Sequence, residues 1–170
     1  MSEFRELLMG CGSDRTKRMT KIGGDKEWQN LTTLDNNADH KPDVLHDLRY
    51  FPLPFDDNTF DEIHAYEVLE HLYQQGDYIS FFKEFTEYHR ILKPGGVMCI
   101  TVPAVTSVWA LGDPSHTRVM PPENFVFLDQ TLYEEVGKTT VSDFRHIYKV
   151  NFKVQVQVEE DVTLVILEAS

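Results

Sequence analysis

The spacing of apolar residues changes along the chain, and each change marks a predicted element. Clustered or alternating apolar positions predict strands at residues 4–9, 31–34, 43–48, 60–66 and 97–102. From Glu67 onward the apolar positions follow the 3.6-residue period of a helix face. A strand that runs directly into a helix is typical of α/β proteins, in which a mainly parallel sheet is flanked by helices.

The second half of the chain adds two predicted helices and a hairpin. Residues 78–92 carry an aromatic stripe at helical spacing, and the Lys-Pro-Gly-Gly run at 93–96 should end that helix. A shorter helix is predicted for 121–132, because proline is tolerated in a first turn. Residues 144–159 and 162–168 alternate on either side of an acidic turn, which predicts an antiparallel hairpin. By contrast, residues 14–30 show little periodicity and predict no helix after the first strand.

Composition indicates one domain over residues 1–170, since 170 residues with 41% hydrophobic and 26% charged positions suit a soluble globular protein. The cysteines, Cys11 and Cys99, are too few for a disulfide framework, and a cytoplasmic location is expected. No apolar run approaches the ~18–20 residues of a membrane span. A net charge of −12 disfavours nucleic acid as a partner, because nucleic-acid binding needs clustered Lys and Arg.

Candidate ligand-binding residues follow the predicted strands. Gly10-Cys11-Gly12 follows the first strand, and a glycine turn there begins many nucleotide-binding units because it allows close backbone approach. Asp35 ends the second strand, about 20 residues later, where an acid can bind a ribose. Without a ligand, Asp35 would simply begin a turn. Tyr66, Glu67 and His71 fall at the carboxyl edge of the sheet, where ligands bind in open α/β folds.

Taken in order, these segments read GCG, D, HDL, PLPF, FD, LEHL and LKPGG. This series resembles the class I S-adenosylmethionine-dependent methyltransferases, and it is closest to a small branch with the same motif order. A loop at 113–118 followed by 122–125 is similar to that branch's substrate-side loop. The resemblance covers about residues 5–130 and is specific in its order and spacing. It implies an α/β, Rossmann-like sheet of seven strands, mostly parallel with a C-terminal antiparallel hairpin, with some helices truncated or missing.

The resemblance implies S-adenosylmethionine as the cofactor and assigns the residues that hold it. The glycine loop, Gly10, Cys11 and Gly12, would lie along the methionine and ribose. Asp35 would accept hydrogen bonds from the ribose hydroxyls, with Asn36 beside the adenine.

Further along the chain, Asp47 would meet the adenine amino group, and the backbone of Leu48 would lie alongside. Tyr66 and Glu67 would lie beside the methionine portion of the cofactor. Many members carry an acid two residues before the first glycine to hold the methionine amino group, but Leu8 occupies that position here.

Methyl transfer from a sulfonium is a displacement that depends mostly on alignment, and a general base helps only when the acceptor must lose a proton. Glu67, His71 and His116 are the candidates for that base. Metal ligands are not assigned, because His64, Glu67 and His71 do not converge at these spacings.

The leading hypothesis is a methyltransferase that acts on a small-molecule acceptor. The alternative is a catalytically silent S-adenosylmethionine-binding module that partners another protein, and a homodimer or partner subunit could cover the open site. A nicotinamide-dependent oxidoreductase is disfavoured, because the GCGSDR segment lacks the third glycine and the following helix. Cleavage of the cofactor, rather than transfer, is a further alternative.

Overall fold

The computed structural model describes residues 3–20 and 24–170. Within them, seven strands form one sheet in the order β3-β2-β1-β4-β5-β7-β6. Only β7 runs antiparallel to its neighbours β5 and β6, so the predicted mostly parallel sheet with a C-terminal hairpin is confirmed. The strands are β1 (Glu6–Met9), β2 (Leu31–Asp35), β3 (Val44–Leu45), β4 (Phe60–Tyr66), β5 (Leu92–Pro103), β6 (Phe152–Val158) and β7 (Val162–Ala169).

The main helix, α1 (Tyr78–Ile91), begins where the Asp77 side chain accepts a hydrogen bond from the Ser80 amide. Two shorter helices follow, α2 (Trp109–Gly112) and α3 (Pro122–Val126). Short 3-10 segments occur at Ala38–His40, Leu69–His71 and Gln130–Glu135. None of the described helices combines the length and apolar character needed to cross a membrane.

Some predicted elements differ from the structure. The helix expected from Glu67 does not form, because Glu67 has a left-handed φ of +54° and only the 3-10 turn Leu69–His71 follows. The strand predicted at 43–48 is reduced to Val44–Leu45, and the predicted helix 121–132 is divided between α3 and a 3-10 turn. The strand predicted from residue 144 begins only at Phe152.

One face of the sheet forms the main core with α1. The predicted aromatic stripe is confirmed there, since Phe82, Phe85, Tyr88 and Ile91 are all buried. Burying side chains of this size contributes about 1.5–3 kcal/mol each, so α1 is held mainly by this packing.

The other face of the sheet carries no helix within the described residues, as expected for truncated or missing helices. Residues 14–20 and 24–30 cover part of it instead. Lys17 inserts its ammonium between two acids, 2.5 Å from Glu6 Oε1 and 3.5 Å from Glu62 Oε2. The ring of Trp28 packs edge-on against His64. A compact charged cluster therefore takes the place that a helix would occupy.

Replacement of Lys17 by methionine should lower the free energy of unfolding by about 3–5 kcal/mol, because it leaves two buried carboxylates without a cation. Urea unfolding measures the change. The matched control is Lys153→Met, which removes a pair with Glu168 in which Lys153 is 66% exposed. That control should cost less than about 1 kcal/mol. Equal losses in the two variants would contradict a structural role for the buried cluster.

Candidate active site

A cleft of about 400 Å³ lies at the carboxyl ends of β1, β2, β3 and β4. Its volume is within the range of small-molecule and cofactor sites, about 300–1,000 Å³. The structure brings seven of the residues predicted from sequence into its lining: Gly10, Asp35, Asn36, Asp47, Leu48, Glu67 and His71.

Gly10 allows the β1 loop to approach the chain that leaves β4. It has a φ of +58°, and a Cβ at this position would lie 2.5 Å from Cγ2 of Val68. Any other residue would therefore clash with Val68 as well as strain the backbone. The glycine keeps the floor of the cleft open.

Asp35 ties the glycine loop to the end of β2. Its Oδ2 accepts a hydrogen bond of 2.9 Å from the Gly12 amide, and its Oδ1 accepts one of 2.8 Å from the Asn37 amide. Burial alone would raise the pKa of Asp35, but these bonds and nearby His40 lower it overall. The carboxylate is therefore ionised at neutral pH, and it has lone pairs left for a ligand.

Asp47 presents a second carboxylate to the cleft. Arg49 Nη2 donates to its Oδ2 at 2.6 Å, and the hydrogen bonds from this guanidinium lower the pKa of Asp47. The Arg49 side chain is 54% exposed, so a ligand that donates to Asp47 can displace it at small cost.

Glu67 stands between this cleft and a smaller recess. Its amide donates to the Thr101 carbonyl at 2.9 Å, and its positive φ turns the chain away from the sheet. A non-glycine residue held in this conformation costs of order 1–3 kcal/mol, which the surrounding contacts must offset. Because of this turn, the Glu67 side chain borders both cavities.

The smaller recess contains His116, together with Glu70, His71, Trp109 and Asp113. The rings of His71 and His116 pack edge to face, with centroids 4.7 Å apart. Burial, with a contribution from Glu67, raises the pKa of Glu70 to about 8.

The loop that carries His116 is fastened to the turn after β4. The Thr117 amide donates to the Glu70 carbonyl at 2.9 Å. Arg118 donates from Nε to the Leu69 carbonyl and from Nη2 to Glu84 Oε1, both at 2.8 Å. These bonds place His71 and His116 side by side, although they are far apart in sequence.

Tyr66 is not brought into the cleft, contrary to the role expected for it. Strand alternation directs its side chain to the opposite face, where its hydroxyl accepts a 3.1 Å bond from the Met19 amide. The hydroxyl also lies 2.7 Å from His64 Nδ1, and burial raises the pKa of Tyr66.

Two residues of the glycine loop also lie outside the lining of the cleft. Cys11 is buried beside Leu8 and Tyr66, and its burial raises the pKa of the thiol. Gly12 contributes through its bond to Asp35 rather than by lining the cavity.

Sequence reasoning missed Arg49, Val68 and Glu70. Glu70 was part of a predicted helix, on which it would point away from His71. The 3-10 turn instead buries its side chain to 2% exposure. The usable signal was the crowding of Glu67, Glu70 and His71 within one short segment at a strand end.

Comparisons with known proteins agree with this geometry. A sequence model of a family described as "Methyltransferase domain" matches residues 7–100, more than half of the chain. No curated protein sequence matches the chain.

Solved structures share the fold at low identity. A SAM-dependent methyltransferase from Archaeoglobus fulgidus is 18% identical with a TM-score of 0.61, over 97% of this chain and 86% of that one. The YcgJ protein from Bacillus subtilis is 16% identical with a TM-score of 0.55, over 98% and 92%. The PH0226 protein from Pyrococcus horikoshii is 14% identical with a TM-score of 0.53, over 99% and 83%.

The sheet order, the cleft at the strand ends and the structural neighbours define a class I S-adenosylmethionine-dependent methyltransferase fold. The chain belongs to the methyltransferase domain family. The resemblance noted in the sequence is thereby confirmed.

Replacement of Arg118 by methionine should lower the free energy of unfolding by about 3–5 kcal/mol, because Glu84 would be left buried without its partner. Urea unfolding measures this loss. The double variant Arg118→Met with Glu84→Gln removes the orphaned charge and should recover part of it. A double variant no more stable than Arg118→Met would show that the ion pair is not the source of the loss.

Proposed function

We propose that this protein binds S-adenosylmethionine in the cleft and transfers its methyl group to a small-molecule acceptor. The observation that carries the proposal is the hydrogen bond that joins the glycine loop to Asp35. The loop has no room for a Cβ at Gly10, and its Gly12 amide is bonded to an ionised acid at the end of β2. This arrangement suits a ligand with a ribose.

The residues present fit the cofactor. The glycine loop would lie along its methionine and ribose, and Asp35 would accept bonds from the ribose hydroxyls. Asp47 would accept from the adenine amino group after Arg49 moves aside, with Asn36 and Leu48 flanking the base. The bound cofactor supplies an electrophilic methyl group on a sulfonium, and this chain would supply alignment and exclusion of water.

The acceptor side is the recess beyond Glu67. Trp109 lines it and is 63% exposed, and the neighbouring Val108 and Leu111 are 77% and 84% exposed. An exposed apolar group next to a cavity favours a small acceptor with an apolar part. Glu67, His71 and His116 are the candidates for a base if the acceptor must lose a proton.

The silent-module alternative is favoured by two observations. Leu8 is buried away from the cleft and offers no acid to the methionine amino group. In addition, the helix-free face leaves Trp28, Leu31, Leu164 and Ile166 only partly buried, which suits a covering partner or second copy. Cofactor binding without release of S-adenosylhomocysteine over a broad acceptor panel would favour this alternative.

The variant Asp35→Asn should weaken S-adenosylmethionine binding by roughly 1–3 kcal/mol, because the charge-assisted bonds to the ribose are lost. Titration calorimetry measures this, with S-adenosylhomocysteine and NADH as comparators. The wild type should bind the first two ligands and not the third.

The control is Asp39→Asn, an exposed carboxylate in the neighbouring 3-10 turn, which should leave the affinity unchanged. Unchanged affinity in a folded Asp35→Asn protein would refute the ribose assignment. A wild type that binds neither S-adenosylmethionine nor S-adenosylhomocysteine would refute the proposed function.

A further inference from the structure

The most unusual group in the recess is the carboxylate of Glu70. The residue is 2% exposed, and both of its carboxylate oxygens are buried without a hydrogen-bond partner among the described residues. A buried carboxyl group with no partner must either hold a proton or bind a cation, so Glu70 is free to accept a cationic ligand.

Two imidazoles face this carboxylate. Nε2 of His71 lies 4.0 Å from Glu70 Oε1, and Nε2 of His116 lies 3.9 Å from the same atom. One ligand atom from each of the three residues lies within 4.8 Å of the others. Atoms about 2.1 Å from one ion lie roughly 3.0–3.4 Å apart, so movements of about 1 Å or less in each side chain would bring them into coordination.

The orientation of His71 also suits a ligand. Its Nδ1 lies 3.1 Å from the Ser115 hydroxyl, and that hydroxyl donates to Asp113 Oδ1 at 2.6 Å. Histidines that bind metals are usually held through the second ring nitrogen in this way, which leaves Nε2 free to coordinate. Asp113 Oδ2 lies 3.8 Å from His116 Nε2, so a second carboxylate stands at the edge of the group.

A comparison within the molecule shows what is missing at Glu70. The cluster Glu6, Glu62 and His64 has a similar composition, but Lys17 places its ammonium there. Among residues 3–20 and 24–170, neither Lys nor Arg forms an ion pair with Glu70. Arg118 is the nearby cation, and it is paired with Glu84. Within the described residues, the recess therefore has no Lys or Arg that pairs with Glu70.

We propose that Glu70, His71 and His116 form a binding site for a divalent transition-metal ion that opens into the recess beside the cofactor cleft. Two imidazoles and one carboxylate suit ions from Mn²⁺ to Zn²⁺ and disfavour Mg²⁺, which prefers oxygen ligands. The sequence disfavours a metal site made of His64, Glu67 and His71, because these residues do not converge at their spacings. The 3-10 turn Leu69–His71 and the 113–118 loop produce the convergence instead.

The test is titration of the metal-stripped, full-length protein with Co²⁺, without S-adenosylmethionine. Visible absorption should show d–d bands that saturate at one ion per chain, and Mg²⁺ in excess should not suppress them. The variants Glu70→Gln and His71→Ala should abolish the bands. Ser115→Ala removes the hydroxyl beside His71 Nδ1 but keeps the Ser115 carbonyl 3.3 Å from that atom, so binding should weaken by up to roughly tenfold.

The matched control is His146→Ala, an exposed histidine outside the recess, which should bind Co²⁺ like the wild type. His71 is partly exposed, so its variant is expected to fold, and circular dichroism checks this for each protein. No saturable Co²⁺ binding by the wild type, or undiminished binding by folded Glu70→Gln and His71→Ala, would overturn the proposal. Calorimetry with S-adenosylmethionine on the same preparation separates this result from failure of the proposed function.

Discussion

The candidate active site depends on the bonds of one buried guanidinium. Arg118 holds the Leu69 carbonyl and the Glu84 carboxylate, and so joins the turn after β4 and the 113–118 loop to α1. It adds to the backbone bonds that Glu67 makes with Thr101 and that Glu70 makes with Thr117. The turn after β4 lines both the cleft and the recess, so the shape of both cavities depends on the bonds that Arg118 makes.

The fold could be predicted largely from the sequence, because the strands and α1 follow from apolar periodicity that burial enforces. The glycine loop and Asp35 could also be placed, since the carboxyl ends of parallel strands meet at one edge. The turn at Glu67 could not be predicted, because the apolar residues that follow it have helical spacing. Its conformation is set instead by contacts of this segment with Thr101 and Arg118, which are distant in sequence. Glu70 was overlooked for the same reason.

On the helix-free face, ion pairs between buried side chains attach the covering segment to the sheet. Lys17 pairs with both Glu6 and Glu62 beneath residues 14–20 and 24–30, while Met19 and Trp28 supply apolar contacts. Such a cluster depends most on Lys17, because its loss leaves two buried carboxylates without their ammonium partner. Local periodicity does not report an arrangement of this kind, since its members lie far apart in the chain.

The hydroxyl of Tyr66 accepts hydrogen bonds from the amides of residues 18 and 19, which lie in the segment that covers the back of the sheet. Glu67, the next residue after Tyr66, borders both cavities. Tyr66, which binds the segment behind the sheet, and Glu67, which lines the ligand site, are therefore joined by a single peptide bond. A partner that binds residues 14–20 would therefore act directly on the end of β4, with no hinge or moving domain between them. In this chain, a force on the back of the sheet would reach the ligand site through two adjacent residues.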